Sequence, residues 1–233
     1  MARVAGATSF GIWPRLRHRS TLPRMTIELG ETYRAARERI SQLVADDDVD
    51  ANLPVPATPA WTVHCVIAHV SGIASDATTG NMEGAPGEEW TAAQVRRAEG
   101  RSIAEMLAEW QQTGPLIEGF LSSPDGAAAS AAVMDLHSHE ADLRHALGLP
   151  VAVPAEFLAW AGTAMREGFA EQCAASGLAP VEVVASDFEW FRGRLGRRTE
   201  VEVCAYGWPV DAAPHLDSFF TFGRAITSLG ERE

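Results

Sequence analysis

Apolar residues in this chain recur mostly at three- and four-residue spacing, with charged residues between them, which is the pattern of amphipathic helices. Over residues 26–45 the positions Tyr33, Ala36, Ile40, Leu43 and Val44 keep that spacing, and Asp46-Asp47-Asp48 ends it. Residues 51–60 hold Pro54, Pro56 and Pro59 and are predicted as an extended connection. A second helix over residues 61–78 puts Val63, Val66, Val70 and Ile73 on one face, with His69 beside that face near Cys65 and Asp76. Residues 81–89 read as a loop. A third helix over 101–121 carries Ile103, Met106, Leu107, Trp110, Ile117 and Leu121 in phase, with a kink expected at Gly114-Pro115. A fourth, over 127–147, is stopped by Gly148 and Pro150.

After Pro154 a fifth helix is predicted over 155–176, and then the pattern changes. Residues 181–185 and 199–205 read as strands joined through 188–198, and a last helix is predicted over 214–228. The expected fold is mainly α: a four-helix bundle over residues 25–150, followed by a small α+β domain over 151–233.

Charge refines this picture. The formal net charge is −12, yet residues 1–24 hold five arginines and no acid, which leaves 14 arginines against 31 acidic residues in the remainder. Such a body repels nucleic acid and anionic membrane, so neither is an expected partner. Residues 1–24 are read as a disordered or non-native basic extension, because their apolar run is broken by Gly11 and Pro14 and precedes most of the charge. No run reaches the roughly 18–20 apolar residues of a membrane span, and a soluble, cytoplasmic protein is expected. Cys65, Cys173 and Cys204 are too scattered for a disulfide framework and are expected to be reduced.

The candidate chemistry lies on the fourth helix. At about 100° per residue, Asp135, His139 and Asp142 fall within roughly 60° of one another, beside the apolar stripe Leu136, Leu143 and Leu147. An acid and an imidazole at i and i+4 share a face and can hold one divalent cation, with His69 as a third ligand from a facing helix. The same spacing also suits a plain i,i+4 ion pair, with His69 a hydrogen-bonded core histidine. Asp142 reads either as a carboxylate supporting a ligand or as a packing acceptor. By the same arithmetic His64, His137 and His145 point away from the ligand face and are expected in solvent. Cys173 and Cys204 are expected to be buried, and Arg192, Arg194, Arg197 and Arg198 to form a solvated hairpin.

The words around these residues carry more. Trp61-Thr62-Val63 with Ile67-Ala68-His69-Val70, and Val133-Met134-Asp135-Leu136 leading to His139-Glu140-Ala141-Asp142-Leu143-Arg144 and Ala146-Leu147-Gly148-Leu149-Pro150, resemble the mycothiol-dependent maleylpyruvate isomerase family, which is related to the DinB-like metal-binding bundles. The resemblance spans about residues 26–230, and Gly223-Arg224 adds a short family-like motif. It implies a zinc ion (or another divalent metal) on His69, Asp135 and His139, mycothiol as cofactor, and Arg224 as an arginine assisting at the active site. The characterised isomerase has Glu where this chain has Asp135, and many relatives have Asp where it has Cys65.

Three protein ligands leave a fourth zinc position open, as in catalytic sites. The reading that follows is an isomerase or thiol S-transferase in which a metal-held thiol attacks a small electrophile. The other readings are a metal hydrolase using zinc-bound water and a non-catalytic metal- or ligand-binding regulatory protein. The substrate and the oligomeric state are not legible in the sequence.

Overall fold

A computed structural model describes residues 26–46 and 48–231. The expectation for residues 1–24 lies outside the described residues. Among the described residues the fold is helical throughout, and none of its helices is long and apolar enough to cross a membrane.

Local signals in the sequence start and stop the first helices. Helix α1 (Leu29–Leu43) begins at Glu28, whose carboxylate accepts from the backbone N–H of Glu31 at 2.6 Å. Helix α2 (Val63–Thr79) is capped by Thr62 and ends at Gly80, which takes the left-handed conformation. Helix α3 (Glu88–Arg97) occupies a stretch without strong apolar periodicity, and the sequence reading missed it. Helix α4 (Ile103–Leu121) starts with a reciprocal Ser102/Glu105 capping box and continues through Pro115 as one element. Helix α5 (Ser130–Ala146) follows a 3₁₀ turn over Gly126–Ala129.

Helices α1, α2, α4 and α5 contact one another in a closed ring, and α3 lies against α2. Inside the ring Trp110 is fully buried and its indole N–H points at the Tyr33 hydroxyl at 3.4 Å. Two ion pairs stitch α1 to its neighbours: Arg37 to Glu118 of α4 at 2.7 Å, and Arg39 to both oxygens of Glu140 of α5 at 2.8 and 2.7 Å.

Helix α6 (Ala155–Ala175) matches its expected range, but the α+β expectation for the C-terminal part is corrected: the described residues there contain no strand. Residues 181–185 make only one isolated antiparallel bridge, between Val184 and Gly207. Residues 188–198, expected as a connection, fall mostly in α7 (Asp187–Arg194), which is capped by Ser186. Residues 199–205 alternate Val with Glu like a strand, yet they form α8 (Glu200–Cys204) behind a Thr199/Glu202 capping box. Val203 is buried while Val201 is 79% exposed, which a shared strand face would not allow. The last predicted helix is cut to a 3₁₀ turn over Ala213–His215 and α9 (Leu216–Phe219). Beyond it the Thr221 and Ala225 N–H groups donate to the carbonyls of Arg194 and Arg198, so the chain is tied to the end of α7 and the turn that follows it instead of to itself.

The apolar core is continuous from α1 to α9. At the seam, His137 of α5 stacks on Phe157 of α6 with centroids 3.8 Å apart and planes 7° from parallel, and Phe157 meets Phe191 of α7 edge-on. His137 is therefore buried, not solvated. Its Nδ1–H donates to the Val133 carbonyl at 2.9 Å, and burial pushes its pKa down to about 4, so the ring is neutral near pH 7.

Gly30 sets the approach of α1 to α4, because a Cβ there would collide with the Glu118 carbonyl and Ser122 Oγ. Gly30→Ala should destabilise the fold by about 1–3 kcal/mol through overpacking, lowering the melting temperature by roughly 2–4 °C per kcal/mol for a chain of this size. Calorimetry checks this, and an unchanged melting temperature would show that the two helices separate freely there.

Candidate metal centre

The ring of helices brings His69 of α2 together with Asp135 and His139 of α5. His69 Nε2 lies 3.3 Å from Asp135 Oδ2, and His139 Nε2 lies 3.5 Å from Asp135 Oδ1. One ligand atom from each residue lies within 4.8 Å of the other two. Atoms about 2.0–2.1 Å from a tetrahedral zinc stand about 3.4 Å apart, so these separations suit a shared cation. The orphaned atom of the group supports the same reading, since Asp135 Oδ2 is buried with no hydrogen-bond partner. Both imidazoles are almost fully buried, whereas the Asp135 side chain keeps 35% of its exposure, so the cluster is approachable from one side.

Each imidazole is oriented through its other nitrogen. The His69 Nδ1–H donates to Gln94 Oε1 at 2.7 Å, and the amide orientation is fixed because Gln94 Nε2 donates to Asp76 Oδ2 at 2.9 Å. Asp76 is buried and also accepts from Asn81 at 2.7 Å and from Arg97 at 2.6 and 2.7 Å. Gly72 leaves room for this, because a Cβ there would meet the Gln94 side chain at 3.0 Å. On the other side His139 Nδ1 faces Asp142 Oδ2 at 3.2 Å, an ion-pair contact off the line of a good hydrogen bond. A carboxylate can only accept here, so a proton sits on Nδ1; in the metal-free centre His139 Nε2 carries a second proton, which a cation would displace.

Asp142 is completely buried and held by two arginines of the C-terminal part. Arg192 donates to it at 2.8 Å, and Arg197 at 2.6 and 3.3 Å. Burial alone would raise its pKa, but Arg197 and then Arg192 outweigh burial and keep it well below the usual carboxylate range. The expectation that Arg192, Arg194, Arg197 and Arg198 form a solvated hairpin is thus corrected: Arg192, Arg194 and Arg198 are buried and the Arg197 side chain is 12% exposed. Of the two readings of Asp142, support of a ligand is the one this geometry favours.

Other expected residues are placed elsewhere. Arg224 pairs with Glu200 at 2.5 Å and with Asp217, and its guanidinium lies 5.2 Å over the Phe220 ring, so none of these partners belongs to the triad. Cys65 faces the Thr62 hydroxyl at 3.5 Å at the start of α2 and is not among the grouped ligands. Cys204 is exposed rather than buried, and all three cysteines are free. His64 is half-buried and contacts the Arg101 carbonyl at 2.8 Å, while half-buried His145 faces Glu231.

Two features of the site escaped the sequence reading. Gln94 sits on the unrecognised α3, where only the spacing of Trp90, Gln94 and Ala98 hinted at a packed face. Trp61 packs against both histidines, with its ring centroid 5.2 Å from His69 and 5.8 Å from His139. It forms an apolar wall beside the ligand atoms.

Residues 33–129 match the protein family described as mycothiol maleylpyruvate isomerase N-terminal domain, which bears out the resemblance read from the sequence. The matched segment contains His69 and Gln94 and stops before Asp135 and His139. No curated protein and no solved structure matches the chain.

The metal-free centre should be sensitive to pH. Burial would lower the His139 pKa, but Asp135 and Asp142 outweigh it and raise it to about 9. The unfolded value is about 6.5. The stabilisation from a charged His139 is therefore fully present below pH 6.5 and lost as pH rises through 9. Chelator-treated protein should melt at progressively lower temperature from pH 6.5 to 9, and His139→Gln should flatten that slope. An equal slope in the variant would place the titrating group elsewhere.

Proposed function

We propose that the chain is a zinc-dependent, mycothiol-using enzyme, an isomerase or thiol S-transferase acting on a small electrophilic molecule. The observation that carries this reading is the His69–Asp135–His139 cluster, with both Nε2 atoms turned to one carboxylate, next to a segment of the mycothiol maleylpyruvate isomerase family. A divalent cation held by His69, Asp135 and His139 would supply Lewis acidity able to lower the pKa of a low-molecular-weight thiol.

The chain's own residues would do the rest. His69, Asp135 and His139 bind the ion. Gln94 and Asp142 hold the two imidazoles in the tautomer that binding requires. Trp61 shields one flank from water and offers an apolar face to the reactants. The partly exposed side of Asp135 is where a thiol and an electrophile would enter. In this reading the enzyme works in the cytoplasm, where thiols are kept reduced.

The protein should purify with about one zinc per chain, in line with a single three-ligand site. His139→Ala should lose the zinc yet retain its helical circular dichroism. Full metal occupancy in both His69→Ala and His139→Ala would sink the proposal. Turnover of a thiol with an electrophile separates it from a hydrolase using bound water, and from a binding protein with no turnover of either kind.

Arg224 as a carboxylate-binding arginine belongs to the same proposal. Its carboxylate partners are exposed, so their pairs with it are weak and exchangeable. Arg224→Lys should keep the zinc but lower kcat/KM for a carboxylate-bearing substrate, because lysine cannot make the two-pronged contact. Unchanged steady-state kinetics would leave Arg224 with only its surface pairs.

A further inference from the structure

The support of His139 does not end at Asp142. It continues through Arg192 into the C-terminal tail. Glu231 is the last described residue, and its side chain has no exposed area. Its carboxylate accepts from Arg192 Nε at 2.9 Å, from Arg192 Nη2 at 2.6 Å and from Arg198 Nη1 at 3.0 Å. His145 Nδ1 lies 3.7 Å away. Arg192 uses its remaining donors on Asp142 at 2.8 Å and on the Ser138 carbonyl at 3.2 Å. A line of direct contacts thus runs from Glu231 to Arg192, to Asp142, and to His139.

The geometry of Arg192 gives that line a direction. A guanidinium is a rigid planar fork with two edges able to grip a carboxylate with two hydrogen bonds. In Arg192 the Nη1/Nη2 edge is divided between the Ser138 carbonyl and Asp142, which leaves the Nε/Nη2 edge for a two-pronged grip. Glu231 occupies that edge. Asp142 is therefore offered only a single bond from Nη2 and stays turned toward His139 and Arg197. Without the Glu231 charge, Arg192 can swing its two-pronged edge onto Asp142 and draw the carboxylate off His139.

Charge acts in the same sense. Arg192 lies between the Asp142 and Glu231 carboxylates, and removing the Glu231 charge leaves its guanidinium directed at Asp142 alone. Net stability is a poor reason for this burial, since buried ion pairs often break even against apolar packing.

We propose that Glu231 is a positioning residue of the metal centre, holding Arg192 so that Asp142 keeps His139 in its ligating orientation. This rests on the metal-centre reading above.

The test uses the full chain and two variants, titrated with zinc against a chromophoric chelator and examined as the cobalt-substituted protein. Glu231→Gln should weaken zinc binding about tenfold, the lower end of what outer partners of metal ligands contribute. It should also shift the visible cobalt bands at saturation. Glu189→Gln is the control, because Glu189 pairs with Arg198 but contacts neither Arg192 nor Asp142. It should change neither measure. Unchanged affinity and bands in Glu231→Gln, or equal losses in both variants, would overturn the inference while leaving the metal centre intact. A parent protein that binds neither ion would overturn the metal centre itself, and this inference with it. Should Glu231→Gln fail to fold, Glu231→Asp keeps the charge and draws it back by one methylene. A smaller shift of both measures in the same direction is then expected, and no shift would overturn the inference.

Discussion

The carboxylate of Asp142 is the point on which the two parts of this protein meet. It is completely buried, and three cationic or proton-donating groups converge on it: His139 from its own helix, and Arg192 and Arg197 from the segment that includes α7 and its C-terminal end. An uncompensated buried carboxylate costs several kcal/mol, so this one can exist only while the C-terminal segment is docked. The apolar seam of His137, Phe157 and Phe191 supplies the area that docks it. Helix packing and the orientation of the His139 imidazole are thus one structural event.

The two histidines of the centre are supported differently. His69 rests on a neutral amide, Gln94, whose far side is anchored by the ionised Asp76. His139 rests directly on a carboxylate, which is itself partly neutralised by arginines. A carboxylate raises the basicity of the imidazole it holds and strengthens it as a ligand, while the arginines temper that gain. The centre is therefore electronically lopsided, with the stronger donor expected on α5. Its open side lies along Asp135, the one member of the triad whose side chain keeps substantial exposure.

The C-terminal segment, seen this way, is an electrostatic scaffold more than a separate body. Four of its arginines are spent on partners within the fold: Arg194 on the carbonyls of Ser218 and Phe219, Arg198 on Glu189 and Glu231, and Arg192 and Arg197 on the support of His139. Guanidinium suits this work because it stays charged when buried and presents several donors in one plane. The short helices α7 to α9 hold few residues each, and the Arg194 bonds to the Ser218 and Phe219 carbonyls fix the end of α9.

What the sequence by itself determined was whatever depends on near neighbours along the chain. The helical period located α1, α2, α4, α5 and α6 to within a few residues, and i,i+4 geometry placed Asp135 and His139 on one face. The family-like words around His69 strengthened its reading as a partner of that pair, and the fold brings the three side chains together. Tertiary structure decided the rest. Alternating Val and Glu at 200–203 carries a strand pattern and a capping box at once, and which prevailed depended on Val203 finding a core that Val201 does not reach. Helix α3 has little apolar periodicity because its inner face is spent on Gln94, a polar residue whose partners lie 25 and 18 positions away. A run of arginines reads as solvated because local sequence cannot show a buried carboxylate 50 residues distant, and only the folded chain brings Asp142 and Glu231 to meet it.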